Sequence, residues 1–112
     1  MKATSLSLGA TLLLAVSLSA KDQIGVVQLV APNVYFHEGD ISKGHCNQGW
    51  IVFKDFVLVI DGNFPSGVDV VLPKIKATSK KPIKFVADTH HHGDHAYGNQ
   101  AWFENGAIPI AS

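Results

Sequence analysis

The sequence predicts an α/β domain, and three observations carry that prediction. Runs rich in β-branched and aromatic residues stand at 24–30, 33–37, 50–53, 56–60 and 83–87. Between the last two, Val68, Val71, Leu72 and Ile75 recur at the spacing of a single helical stripe. A second short helical segment then precedes another strand beginning at 107. The order ββ, ββ, α, β, α, β joins its later strands through helices, the pattern of an α/β sheet. With 112 residues there is room for one small domain at most.

The first segment stands apart. Residues 1–20, "MKATSLSLGATLLLAVSLSA", combine Lys2, an apolar stretch from Leu6 to Val16 and the small-x-small pattern Ser17-Leu18-Ser19. This is the layout of a secretory signal peptide, cleaved near Ser19 or Ala20. It predicts a periplasmic or secreted protein whose mature domain is 21–112. The apolar part falls short of the ~20 residues that a membrane span requires, so no stable membrane anchor is expected.

"IGVVQLV" and "NVYFH" then read as two strands separated by a turn at Ala31-Pro32. Residues 38–49 form a polar, glycine-containing loop. It holds Cys46, the one cysteine, which has no internal partner for a disulfide and reads as a structurally idle thiol. "WIVF" and "FVLVI" form a hairpin across Lys54-Asp55. The second run is almost continuously apolar, which predicts a strand buried on both faces, and it ends at Asp61-Gly62.

Residues 65–79 form a helix in which Pro73 is out of place. An interior proline loses a hydrogen bond and clashes with the preceding turn, at a cost of ~3 kcal/mol. The helix is therefore expected to kink there or to divide. "IKFVA" (83–87) is the next strand, "YGNQAWFEN" a short helix stopped by Gly106, and "AIPIA" (107–111) a final strand.

Charge excludes one class of partner. Nine lysines balance nine acids and there is no arginine, so the basic patch that a nucleic acid demands is missing. Lys74, Lys76, Lys80, Lys81 and Lys84 do cluster, but on a helix and the turn after it, where a solvated face accounts for them.

The chemistry is concentrated in "DTHHHGDHAYGN", residues 88–99. It contains His90-x-His92-x-Asp94-His95 at the end of a predicted strand. In an extended segment, residues two apart point the same way, so His90 and His92 can address one cation. After a turn at Gly93, Asp94 and His95 can face a second. Imidazole and carboxylate suit zinc, with iron or manganese as alternatives. A bound zinc lowers the pKa of its water to ~7, and two ions ~3.5–4 Å apart stabilise the charge that develops in hydrolysis. Asp94 would both ligate a metal and orient the nucleophile, which makes it the catalytic residue. His91 is out of phase with the set, and His37 and His45 are isolated. The competing reading is a surface histidine cluster that takes up metal without catalysis.

The run "THHHGDHAYGN" resembles the metal-binding signature of the metallo-β-lactamase superfamily. "WIVFKDFVLVIDGN" is similar to that family's opening hairpin, and "PIKFVADTH" to its strand into the histidine loop. The resemblance extends over nearly all of residues 23–112. It implies the amino-terminal half of a four-layer αββα sandwich, with His90 and His92 on a first zinc and Asp94 and His95 on a second. It also implies that Asp61 supports the site from behind, although an aspartate ending a strand before a glycine turn accounts for it equally well. The expected function is that of an exported zinc-dependent hydrolase acting on an ester, thioester or lactam-type bond of a small-molecule substrate.

The same resemblance implies ligands that do not occur. The family takes a further histidine, a bridging aspartate and a last histidine from well downstream, yet Glu104 is the one acid or histidine after His95. One half of such a sandwich also leaves an apolar sheet face uncovered. The expectation is therefore an amino-terminal fragment of a longer enzyme, inactive alone. A non-catalytic periplasmic metal-binding module using the same four residues is the alternative. A dimer in which two copies cover each other's open face is the least favoured reading.

Overall fold

The computed structural model describes residues 23–111, and the signal segment predicted at 1–20 lies outside them. Among the described residues six strands form one sheet in chain order: β1 (Val27–Ala31), β2 (Val34–His37), β3 (Gln48–Val52), β4 (Val57–Ile60), β5 (Ile83–Ala87) and β6 (Ile108–Ile110). The first four are an antiparallel meander. The β4–β5 and β5–β6 pairs are parallel, because a helical crossover returns the chain to the starting edge each time.

The first crossover is α1 (Pro65–Thr78). Its predicted stripe faces the sheet: Val68, Val71 and Ile75 are buried and Leu72 packs beside them. Pro73 neither divides the helix nor ends it. Pro73 and Asp69, whose carbonyl loses its partner, are both on the exposed side, where water can take the missing N–H's place. The second crossover holds two short helices, α2 (Gly93–Ala96) and α3 (Asn99–Glu104). α2 begins inside the histidine run, where no helix is expected from the sequence. α3 ends as predicted before Gly106, whose φ of 89° suits glycine alone.

Alternation across the strands decides which side is the core. Trp50 pairs with Val59 and Tyr35 with Trp50 in the ladders, so these side chains share one face with Val57 and Val86. That face meets Val68, Val71 and Ile75 of α1, Trp102 of α3 and Ala107. Each fully buried Val or Ile there contributes roughly 1.5–3 kcal/mol. The Tyr35 and Trp50 rings stack at 5.5 Å, and the buried Trp50 indole N–H donates to Thr78 Oγ1 at 3.0 Å.

The other face corrects one expectation. Val57 and Val59 are buried, but their neighbours Leu58 and Ile60 are only half-buried. β4 is therefore covered on one face, not two, because α1 and α3 both pack on the Val57–Val59 side. Register places Val34, Phe36, Ile51, Leu58, Ile60, Phe85, Ile108 and Ile110 on the opposite face. Among the described residues no helix covers it.

Candidate metal centre

Parallel pairing of β4 with β5 puts the ends of both strands at one edge, with Ile60 opposite Ala87. Sites in α/β sheets gather at the carboxyl ends of strands, and here Asp61 follows one strand and the histidine run the other. Antiparallel pairing brings the start of β3 and the end of β2 to the same edge. The loop 38–47 therefore rises beside the histidines.

The turn after β4 is tightly specified. Asp61 and Asn63 have φ of 70° and 60°, a left-handed conformation that Asn and Asp tolerate better than most residues. Two buried amides hold it. Gln48 Nε2 donates to the Asp61 carbonyl at 2.7 Å, and Asn63 Nδ2 donates to Gln48 Oε1 at 2.8 Å. Asn63 Oδ1 then accepts from the N–H of Phe64, just before α1. Gln48 lies in a span predicted to be loop; it begins β3 and is buried. The preference of a polar side chain for loops hides such a residue, since only the folded chain supplies its buried partners.

From this turn Asp61 reaches both sides of the histidine run. Its Oδ1 accepts from the N–H and the hydroxyl of Thr89, at 2.7 and 2.8 Å. Its Oδ2 lies 2.9 Å from His95 Nδ1. That ring nitrogen is buried and, despite the short separation, has no partner in hydrogen-bonding direction. Gly62 N–H donates to the His95 carbonyl at 2.7 Å, and the N–H of Gly98 to the Asn63 carbonyl at 2.5 Å. A methyl group on Gly98 would lie 2.2 Å from the Gly62 carbonyl oxygen. This approach admits glycine alone.

β5 ends at Ala87 and residues 89–91 bend, so the histidines are not on an extended strand as the alternation argument requires. Thr89 is drawn toward Asp61, and the loop curls back on itself. The rings converge nonetheless. His90 Nε2 is 3.1 Å from His92 Nδ1, and the His90 and His95 rings are 4.1 Å apart. His95 Nε2 is 3.3 Å from Asp94 Oδ2. His90 Nδ1 lies 2.9 Å from Thr89 Oγ1. One ligand atom each of Asp61, His90 and His95 fits within 4.8 Å of the others, a possible metal-binding group. It includes Asp61, which the sequence reading keeps behind the site. His91 is exposed and makes no contact with Asp61 or His95 of this kind.

A cleft of about 410 Å³ opens beside Asp94 and His95, walled by the loop residues Ile41, His45 and Cys46. Cys46 is buried, and burial first, then the charges of Asp61 and Asp94, push its thiol up to about 12. It is thus a neutral wall of the site's cleft, a placement that its sequence neighbours do not reveal. His37 is buried outside that cleft, whereas His45 is on its wall, with Nε2 3.0 Å from Ser66 Oγ. A further cleft of about 370 Å³, between α1 and the start of β5, is at the opposite end of the sheet and holds no histidine.

A family model described as the metallo-beta-lactamase superfamily matches residues 41–112, well over half of the chain. The chain belongs to the metallo-beta-lactamase superfamily. Solved structures agree on the fold. The metallo-beta-lactamase FIM-1 from Pseudomonas aeruginosa, in a mono-zinc form, superposes with a TM-score of 0.63 at 24% identity, over 77% of this chain and 41% of that one. A metallo-beta-lactamase from Hirschia baltica gives 0.63 at 22%, over 77% and 42%. TMB-1 gives 0.63 at 18%, over 77% and 42%. A search of curated proteins found no significant match. This superfamily chain spans about two-fifths of the length of those solved structures. Its six-stranded sheet corresponds to part of the metallo-beta-lactamase fold.

Proposed function

We propose that the chain supplies the metal-binding edge of an exported, zinc-dependent hydrolase that opens an ester, thioester or lactam-type bond in a small molecule. The observation that carries this reading is the pairing of donor atoms: His90 Nε2 with His92 Nδ1 at 3.1 Å and Asp94 Oδ2 with His95 Nε2 at 3.3 Å. Two nitrogens on one tetrahedral zinc stand roughly 3.3 Å apart, given bonds of about 2.0–2.1 Å. Both pairs suit that spacing. Asp61 Oδ2 stands 2.9 Å from His95 Nδ1, which leaves Nε2 as the nitrogen of that ring beside Asp94.

His90 and His92 would hold one ion, and Asp94 and His95 a second. Bound there, zinc supplies a Lewis acid and lowers the pKa of water. The chain's own residues then have distinct tasks. Asp94, half-buried at the mouth of the cleft, orients the attacking water and takes its proton. Asp61 has one oxygen engaged by Thr89 and the other beside His95, which suits it to aim that imidazole, as carboxylates behind metal ligands do. Cys46, held as a neutral thiol, and Ile41 give the cleft an apolar wall for the substrate.

The test is zinc uptake by the purified chain, followed by elemental analysis. Replacing His90, His92, Asp94 and His95 with alanine should abolish it, and unchanged occupancy would sink the reading. Assays of β-lactam, thioester and phosphoester hydrolysis on the zinc-loaded protein then separate enzyme from storage. Uptake with no turnover, in this chain and in any longer form carrying it, favours the non-catalytic metal-binding module.

A further inference from the structure

Asp88 and Asn99 are the first and last residues of the stretch that holds the clustered histidines. Asn99 Nδ2 donates to Asp88 Oδ2 at 2.6 Å, across eleven positions in the chain. Every residue proposed above as a zinc ligand lies inside that closure. Each end is also anchored. The Asp88 N–H donates to the Ile110 carbonyl at 2.9 Å, on β6, and Asn99 opens α3, whose Trp102 Nε1 donates to the Gly62 carbonyl at 2.8 Å. The Asn99 side chain occupies the space beside Gly62: a methyl there would lie 2.3 Å from Asn99 Oδ1, 3.1 Å from the His95 carbonyl oxygen and 3.2 Å from Asp88 Oδ1. Asp88 Oδ1 and Asn99 Oδ1 are themselves buried and have no partner. The Nδ2–Oδ2 contact is thus the one hydrogen bond that either side chain makes among the described residues, and losing it would leave both wholly unsatisfied.

We propose that Asn99 is a positioning residue: its bond to Asp88 staples the 88–99 segment shut and holds the imidazoles at 90, 92 and 95 together before any metal arrives. This rests on the metal-binding reading for its consequence, but not for its geometry. Without the staple the Asp61–Thr89 and Gly62–His95 contacts remain. The two ends of the segment, however, lose the side-chain bond that closes them, and residues 89–92 lie in neither strand nor helix to hold their own spacing. A preformed ligand set binds more tightly because less ordering remains to be done on binding, and partners behind metal ligands typically carry 10–100-fold in metal affinity.

Two measurements test it. The first needs no metal. In Asn99→Ala, amide hydrogen exchange at Thr89 and His95 should quicken about tenfold or more, while Trp50 and Val59 in the central strands stay protected. Equal acceleration everywhere, or none, would overturn the proposal. The second is zinc affinity. Asn99→Asp, which sets carboxylate against carboxylate, should weaken binding by about 10–100-fold. The exchange of partners, Asp88→Asn with Asn99→Asp, restores a donor and an acceptor and should return affinity to within about threefold, as expected of a directly coupled pair. An exchanged pair as weak as Asn99→Asp alone would also overturn it. If the unaltered chain takes up no zinc, the metal reading falls, and the exchange rates alone decide the staple.

Discussion

One oxygen of Asp61 accepts two hydrogen bonds from Thr89, 28 residues further along: from its N–H at 2.7 Å and from its hydroxyl at 2.8 Å. This contact couples the end of β4 to the entry of the histidine loop. Its neighbour, the Gly62–His95 backbone bond, couples the same turn to the loop's exit. The site is therefore clamped from one three-residue turn.

Asp61→Ala should uncouple that clamp. Two donors on Thr89 lose their acceptor, and alanine lacks the short polar side chain that lets aspartate tolerate a φ near 70°. The expected loss is about 1–3 kcal/mol, measured by urea unfolding. Asp61→Asn keeps an oxygen for Thr89 and tolerates the backbone, so stability should fall by less than half as much. Its zinc affinity should still drop about 10–100-fold through loss of the charge beside His95.

Two glycines should respond in opposite measure. Gly98→Ala drives a methyl against the Gly62 and Asn63 carbonyls and Val68, where backbone must move. Overpacking of this kind costs roughly 1–3 kcal/mol or more. Gly106 has open space around it but a φ of 89°, so Gly106→Ala should cost only about 1 kcal/mol. Thermal melts of the two variants measure the order, and equal effects would contradict the close approach at Gly98.

Acid should destabilise the fold partly through His37. Burial, then Lys74, then His45 lower its pKa from the ordinary 6.5. The unfolded chain thus binds the proton more readily than the folded one, and stability rises with pH across that interval. The contribution is complete above 6.5 and is lost as pH falls toward the lowered value. Both ring nitrogens are buried and unpartnered, so His37→Leu should leave stability at pH 8 unchanged or higher and flatten its decline below pH 6.5. A slope identical to that of the unaltered chain, in the absence of metal, would refute this.

Cys46 should resist thiol reagents. Its pKa of about 12 and its burial leave almost no thiolate near neutrality, and thiolate is the reactive form. Labelling at pH 8 should be at least about a hundredfold slower than in denaturant. Prompt labelling of the native protein would mean that the loop 38–47 opens freely.

Much of the fold was legible from local pattern. The run at 83–87 is strand β5 to the residue, and the stripe at Val68, Val71, Leu72 and Ile75 is the packed side of α1. These succeed because side-chain period and backbone period must agree wherever one side is buried. Pro73 does not divide α1, one of the two outcomes expected, because the cost of an interior proline depends on whether water can reach the freed carbonyl, which is a matter of facing. "FVLVI" misled because an apolar run shows what a strand can bury, while its neighbours decide what it does bury.

The histidine run likewise divides into two parts. The donor types that the sequence reading assigns to a metal stand in residues 90–95, but the group that the structure brings within 4.8 Å is Asp61, His90 and His95. That His90 meets His92 through a bend and not through strand alternation is decided only by folding. So are the places of Gln48, Asn63 and Cys46, whereas an Asp61 behind the site is what the family resemblance already implies. Those residues are distant from the run in sequence; parallel pairing of β4 with β5 sets Asn63 beside the loop, and antiparallel pairing of β3 with its neighbours brings Gln48 and Cys46 there. Donor chemistry is local; the convergence of donors is a property of the sheet's edge.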